Sequence, residues 1–172
     1  MKKLTVICMA LMAMAFMASC RGPKGDDGAD ANVASSTLTV RSSQWNWRTI
    51  YTDEDNNERG QYYVEIKCSA ITDNVFDYGA VLVYMDVDGA WTQLPFTYYY
   101  LDGDFIAEAS IEVSTLNNGE IALFWTQSDF WKVRPETHDF KIVVIESSYF
   151  ESRSDVDYSS YEAVKAAYQL AD

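Results

Sequence analysis

Between Gln61 and Glu146 the chain repeats one pattern: short runs with apolar residues at every second position, each closed by a turn-forming pair. Alternation with a period of two puts successive side chains on opposite faces of an extended strand. Over Gln61–Ile71, Tyr62, Val64, Ile66, Cys68 and Ala70 share one side, and Gln61, Glu65, Lys67 and Ser69 share the other. Phe105–Val113 alternates in the same way, with Phe105, Ala107, Ala109, Ile111 and Val113 inward and Glu108, Ser110 and Glu112 outward. The punctuation is Asp88-Gly89, Asp102-Gly103 and Asn117-Asn118-Gly119. Asp-Gly and Asn-Gly supply the positive φ angles that tight hairpins need. A chain cut this finely has no helices between consecutive strands, which excludes parallel βαβ architecture and predicts antiparallel pairing.

The remaining segments fit the same plan. Thr37–Val40, Gln44–Tyr51, Glu120–Thr126 and His138–Glu146 read as strands, with Trp45, Trp47 and Thr49 on one face of the second. Gly79–Val87 is nearly all apolar, the mark of a central strand covered on both faces. Trp91–Leu101 reads as its hairpin partner, placed at an edge or bulged because Pro95 cannot donate to a ladder. Asp53–Gly60 and Asp73–Tyr78 read as loops. A short helix is expected from Tyr158 onward, capped by Ser159 with Glu162 completing a capping box and Tyr161, Val164 and Tyr168 on its buried face. The expected fold is all-β: one antiparallel β-sandwich of jelly-roll or immunoglobulin-like type over residues 36–172, with one short C-terminal helix.

The amino end carries a different message. Lys2 and Lys3 precede the apolar run Leu4–Ala18, which ends at Met17-Ala18-Ser19-Cys20. The run is shorter than the roughly 20 residues that span a bilayer. Its charged start, apolar middle and small-residue end are those of a secretory signal over residues 1–19, with Cys20 as the lipid-attachment residue. Gly22-Pro23-Lys24, Gly25-Asp26-Asp27 and Gly28-Ala29-Asp30 are collagen-like Gly-X-Y triplets. Three are very few for a triple helix, so residues 20–35 read as a flexible tether. The expected setting is an exported protein held by lipid at the outer membrane or cell surface.

Charge and cysteine usage narrow the function classes. A formal net charge of −13 argues against a nucleic-acid partner, since phosphate binding relies on Lys and Arg. Of three cysteines, Cys8 belongs to the signal and Cys20 to the anchor, which leaves Cys68 without a disulfide partner and reading as a buried hydrophobe. Burial alone must hold the fold, and 15% aromatic residues provide the means.

No chemical motif stands out, and no cofactor is implied. Asp53, Asp55 and Asn57 begin like an EF-hand loop, but Glu58 replaces the required Gly and Val64 the bidentate Glu. Looser Ca²⁺ sets, such as Asp53, Asp55 and Glu58 or Asp86, Asp88 and Asp102, are no more than acidic turns. His138 is the single histidine, and no Gly-x-Ser-x-Gly elbow accompanies it and Asp139. Glu108 and Glu112 share a strand face and are the nearest approach to a glycosidase carboxylate pair. The candidate ligand-binding residues are aromatic: Trp131 in the irregular segment Gln127–Thr137, and Tyr98, Tyr99 and Tyr100, of which alternation must turn at least one outward. They point to a binding or interaction module for a glycan or an envelope protein. A structural protein oligomerising through the triplets is the alternative, and a hydrolase the weakest reading. Oligomeric state is left open.

The signal, Met17-Ala18-Ser19-Cys20 and the triplets directly after the cysteine resemble small lipoproteins of Bacteroidota with collagen-like repeats. Asn74–Tyr84, Gln93-Leu94-Pro95-Phe96 and Tyr161-Glu162-Ala163-Val164-Lys165 extend the resemblance over most of the chain. It implies a lipid-anchored protein carrying an aromatic β-domain, and Asp26 and Asp27 so soon after the cysteine are similar to surface-export signals. No activity or catalytic residue comes with it.

Overall fold

The computed structural model describes residues 32–102, 105–116 and 119–170. The signal, Cys20, the triplets and parts of two turns (Gly103, Asn117 and Asn118) lie outside the described residues. Among the described residues, nine strands build two antiparallel sheets. The first contains Val33–Val40 (β1), Ala80–Val87 (β4), Ala90–Gln93 (β5) and His138–Ile145 (β9), in the order β1-β9-β4-β5. The second contains Asn46–Thr52 (β2), Glu58–Lys67 (β3), Phe96–Asp102 (β6), Phe105–Leu116 (β7) and Glu120–Gln127 (β8), in the order β2-β3-β8-β7-β6. Three short α-helices, Asp73–Tyr78 (α1), Ser147–Glu151 (α2) and Tyr161–Tyr168 (α3), and a single 3-10 turn at Ser42–Gln44 complete the described chain. This is the all-β antiparallel sandwich with a C-terminal helix that the alternation and turn pattern predict.

The two sheets face each other across a core in which Ile111, Ile121, Leu123 and Phe140 are fully enclosed. Each such side chain contributes about 1.5–3 kcal/mol by leaving water. Inward positions follow the alternation: Val64, Ile66 and Cys68 on the β3 side, Ala109 and Ile111 on β7, and Leu123 and Trp125 on β8 are buried. Asp88 and Gly89 both take positive φ between β4 and β5, as the hairpin turn requires.

A second apolar cluster lies on the other side of the four-stranded sheet. Tyr161, Val164 and Tyr168 of α3 pack onto Leu82, Tyr84 and Val143. That sheet is covered on both faces, which is why β4 and β9 carry runs of consecutive buried residues. The outer face of the five-stranded sheet has no such cover among the described residues.

Five local expectations are corrected. The first strand begins at Val33 and not at Thr37, so residues 33–35 are paired with β9 and are not tether. Trp91–Leu101 is not one strand: at Pro95 the chain leaves the first sheet as β5 and enters the second as β6. A residue without an N–H suits a point where ladder pairing lapses. Asp73–Tyr78 is a helix and not a loop, because Thr72 Oγ1 accepts the Val75 N–H and Asp73 favours the first turn electrostatically. The cap of α3 is Ser160, whose Oγ accepts the Ala163 N–H, while Ser159 donates its own hydroxyl to Asp157. Finally, β3 begins at Glu58, so Glu58–Gly60 are strand and not loop, and it ends at Lys67, with Cys68–Ile71 forming a turn.

The strand directions define two poles. Val33 pairs with Ile145 and Ala80 also pairs with Ile145, so β1 begins at the pole where α1 lies. Val40 pairs with His138, at the opposite pole. The eight residues of β1 separate the poles by roughly 26 Å.

Candidate functional site

The distal pole is built by the irregular segment 128–137 between β8 and β9. A ten-residue stretch without ladders needs other restraints, and here they are cationic and aromatic. The Gly60 N–H donates to the Phe130 carbonyl. A Cβ at Gly60 would lie 2.1 Å from the Arg48 carbonyl oxygen, so only glycine fits at this crossing. The Arg59 guanidinium lies 3.5 Å from the Trp131 ring centroid and is held there by Asp53 at 2.8 Å. Lys132 pairs with Glu58 at 3.0 Å and lies over the Trp47 ring. Arg134 donates to the carbonyls of Ser42 and Trp45 and covers Tyr62. Three successive cation–π contacts, each worth about 0.5–2 kcal/mol, thus tie the segment to the β2–β3 end of the sheet.

Next to this segment runs a shallow trough in two joined halves. One half is lined by Ile106, Ala107, Asp129, Trp131, Lys132 and Val133. The other lies on the outer face of the five-stranded sheet and is lined by Gln61, Glu108, Ser110, Glu112, Thr126 and Phe130. Gln127 and Ser128 belong to both halves. Glu108, Ser110 and Glu112 project from one face of β7, and Thr126 donates to the Gln61 side-chain oxygen across β8 and β3. Glu108 and Glu112 make no ion pair among the described residues, so their charge stays in the trough.

Of the expected aromatic residues, the structure places Trp131 beside the trough and divides the tyrosines. Trp131 lines the trough and is 44% exposed despite the arginine on one of its faces. Tyr98 and Tyr100 turn inward against the core, with Tyr98 edge-on to Trp125 at 5.5 Å; burial raises the Tyr98 phenol above the ordinary tyrosine range. Both are half-buried and pack on the core, since the side chains of β6 alternate about Tyr99. Tyr99 is 69% exposed and sits opposite Glu108 in the β6–β7 register, at the trough's rim.

Gln127 is a trough residue that sequence reasoning does not single out. It ends an apolar strand, is 3% exposed, and its Oε1 has no hydrogen-bond donor among the described residues. Nothing in the local sequence marks it, because burial of an amide at a strand end is set by neighbours distant in the chain.

The other chemical candidates have structural occupations. Both carboxylate oxygens of Asp53 are engaged: Oδ1 accepts the Asp55 and Asn57 N–H groups, and Oδ2 accepts Asn57 Nδ2 and Arg59. The Asn57 N–H is the main reason that its pKa is lowered. Asp86 accepts the Gly89 N–H in the β4–β5 turn. No group of His, Cys, Asp and Glu suited to a metal ion occurs among the described residues. Asp139 accepts from Thr39 on β1 rather than orienting His138. Glu108 and Glu112 are four residues apart on an extended strand, roughly 13 Å, against the roughly 5–9.5 Å between hydrolytic carboxyl groups.

His138 stacks on Trp125 at 5.4 Å and is half-buried at the start of β9. Desolvation lowers its pKa, outweighing the opposite pull of Glu136 and Asp139. The unfolded chain therefore takes up this proton first as the pH falls through about 6.5. The stability tied to neutral His138 is complete above that value and declines below it, until the folded pKa is passed. A His138→Phe chain keeps the stacked ring without the titration. The difference in melting temperature between the two is expected to shift in favour of His138→Phe from pH 7.5 to pH 5. A pH-independent difference would contradict the assignment.

Searches against protein-family models, curated proteins and solved structures matched nothing.

Proposed function

We propose that this chain is a lipid-anchored protein of the cell envelope whose β-sandwich presents a ligand-binding trough away from the membrane. The observation that carries this reading is polar geometry. The tether joins the domain at β1, whose first residue lies at one pole, while Trp131, Glu108 and Gln127 line the trough at the other. A domain held at its amino end exposes that trough outward. The reading also draws on the signal-like residues 1–19 and on Cys20. No helix among the described residues is long and apolar enough to cross a membrane. The several acyl chains of a bacterial lipoprotein anchor hold firmly where one chain binds only marginally.

Cell fractionation tests the anchor. The wild-type chain is expected in the membrane fraction and Cys20→Ala in the soluble fraction, with the same melting temperature. A Cys20→Ala chain that stays with membranes would sink the anchor while leaving the trough to its own test.

A further inference from the structure

We infer that the trough takes an uncharged oligosaccharide, one pyranose of which stacks on the open face of Trp131. This rests on the trough being the binding surface and adds the class of ligand.

Of the charged groups that line the trough, the Lys132 ammonium is taken up by Glu58, and the carboxylates ask for donors. Glu108 and Glu112 line the trough and make no ion pair among the described residues, and carboxylates act chiefly as hydrogen-bond acceptors. Gln127 also lines both halves, but alternation along β8 turns its side chain inward with Leu123 and Trp125, so its buried Oε1 is not among the acceptors offered to a ligand. Phosphates and carboxylates bring acceptors and negative charge, and are repelled. Hydroxyl groups and ammonium groups bring donors.

Trp131 decides between these two. Arg59 already occupies one face of the ring at 3.5 Å from its centroid. A cationic ligand on the other face would bring a like charge within roughly 7 Å, across a ring whose quadrupole is already engaged. The apolar C–H face of a neutral sugar meets no such opposition. Arg59, fixed by Asp53, also holds the indole in place before a ligand arrives, so little ordering remains to be done on binding.

A bound peptide is disfavoured for a second reason. Extended peptides gain affinity by pairing with a free strand edge. The polar half of the trough lies over β3, β8 and β7, each of which is paired on both sides. Only side chains are on offer there.

The test uses the full-length chain in detergent with four probes: neutral hexose oligosaccharides, uronic-acid oligosaccharides, chitosan oligomers and oligolysine. Calorimetric titration is made at about 0.05 M and about 0.5 M salt, which changes the screening length severalfold. Neutral oligosaccharides are expected to bind with affinity unchanged by salt. Trp131→Ala is expected to weaken them at least tenfold, about 1.4 kcal/mol. Because Trp131→Ala can loosen the segment 128–137, the double substitution Glu108→Gln/Glu112→Gln, at a half-buried and an exposed position, serves as the second variant, expected to weaken binding with an unchanged melting temperature. Salt-sensitive binding of oligolysine or chitosan, lost in the Glu108→Gln/Glu112→Gln chain, with no binding of neutral sugars, would overturn the sugar assignment and keep the trough. Binding of no probe, or binding untouched by both variants, would overturn the trough as well.

Discussion

A chain ending at Glu146 is expected to lose its cooperative thermal transition and to aggregate. The four-stranded sheet owes the cover of its outer face to the C-terminal segment beyond that residue. Leu82, Tyr84, Val143 and Ile145 are at most 9% exposed, and all of them belong to the cluster completed by Tyr161, Val164, Tyr168 and Leu170. Uncovering four large side chains at about 1.5–3 kcal/mol each forfeits as much as the whole stability of a typical domain, about 5–15 kcal/mol. The loss includes hydrogen bonds, since Tyr84 Oη donates to the Tyr158 carbonyl and Tyr158 Oη meets Tyr168 Oη at 2.8 Å. It would also leave an apolar sheet face open to a second molecule. Circular dichroism melts read the result. A truncated chain melting cooperatively near the wild-type temperature would show that the C-terminal segment is an accessory and not a layer of the fold.

The second large effect turns on a buried lysine. Lys141 is 6% exposed on β9, with its ammonium 2.9 Å from Tyr161 Oη and over the rings of Trp91 and Tyr161 at 4.8 and 4.3 Å. Tyr161→Phe keeps the ring and its burial but removes the oxygen that accepts from the ammonium. A hydrogen bond to a charged group contributes about 1.5–3 kcal/mol, and that is the expected destabilisation. Lys141→Met is expected to cost far less or even to stabilise, since an apolar side chain of similar length needs no desolvation of a charge. In the Lys141→Met background Tyr161→Phe should then be nearly neutral. Urea denaturation of the four chains closes this cycle. Equal costs of Tyr161→Phe in both backgrounds would show that the hydroxyl does not serve the lysine.

How far the sequence revealed this depended on the range of the interactions involved. Strand existence was legible because alternation is local: Tyr62, Val64 and Ile66 point inward for the same reason that Gln61 and Glu65 do not. The helix at Asp73–Tyr78 was missed because it is less than two turns long, too short to show a period, and its one legible signal was Thr72 placed to cap. Pro95 marked an interruption, but whether the chain resumed in the same sheet depended on partners elsewhere. The same limit applies at the site. Trp131 stood out as a large aromatic in an irregular segment, whereas its arginine support and the buried Gln127 come from residues that only the fold brings close. Three consecutive tyrosines could not be sorted without the phase of β6, which Phe96 sets by packing on the core.

The antiparallel pairing of β1 with β9 also has a mechanical meaning. All eight residues of β1 are registered against β9, from Val33 with Ile145 to Val40 with His138. With the chain held at its amino end and a ligand gripped at the distal pole, tension runs along the strands and across the ladder bonds. The eight pairs are then loaded in shear and must yield together; they cannot open in succession like a zipper. A domain hung this way resists drag on its cargo with its whole edge strand.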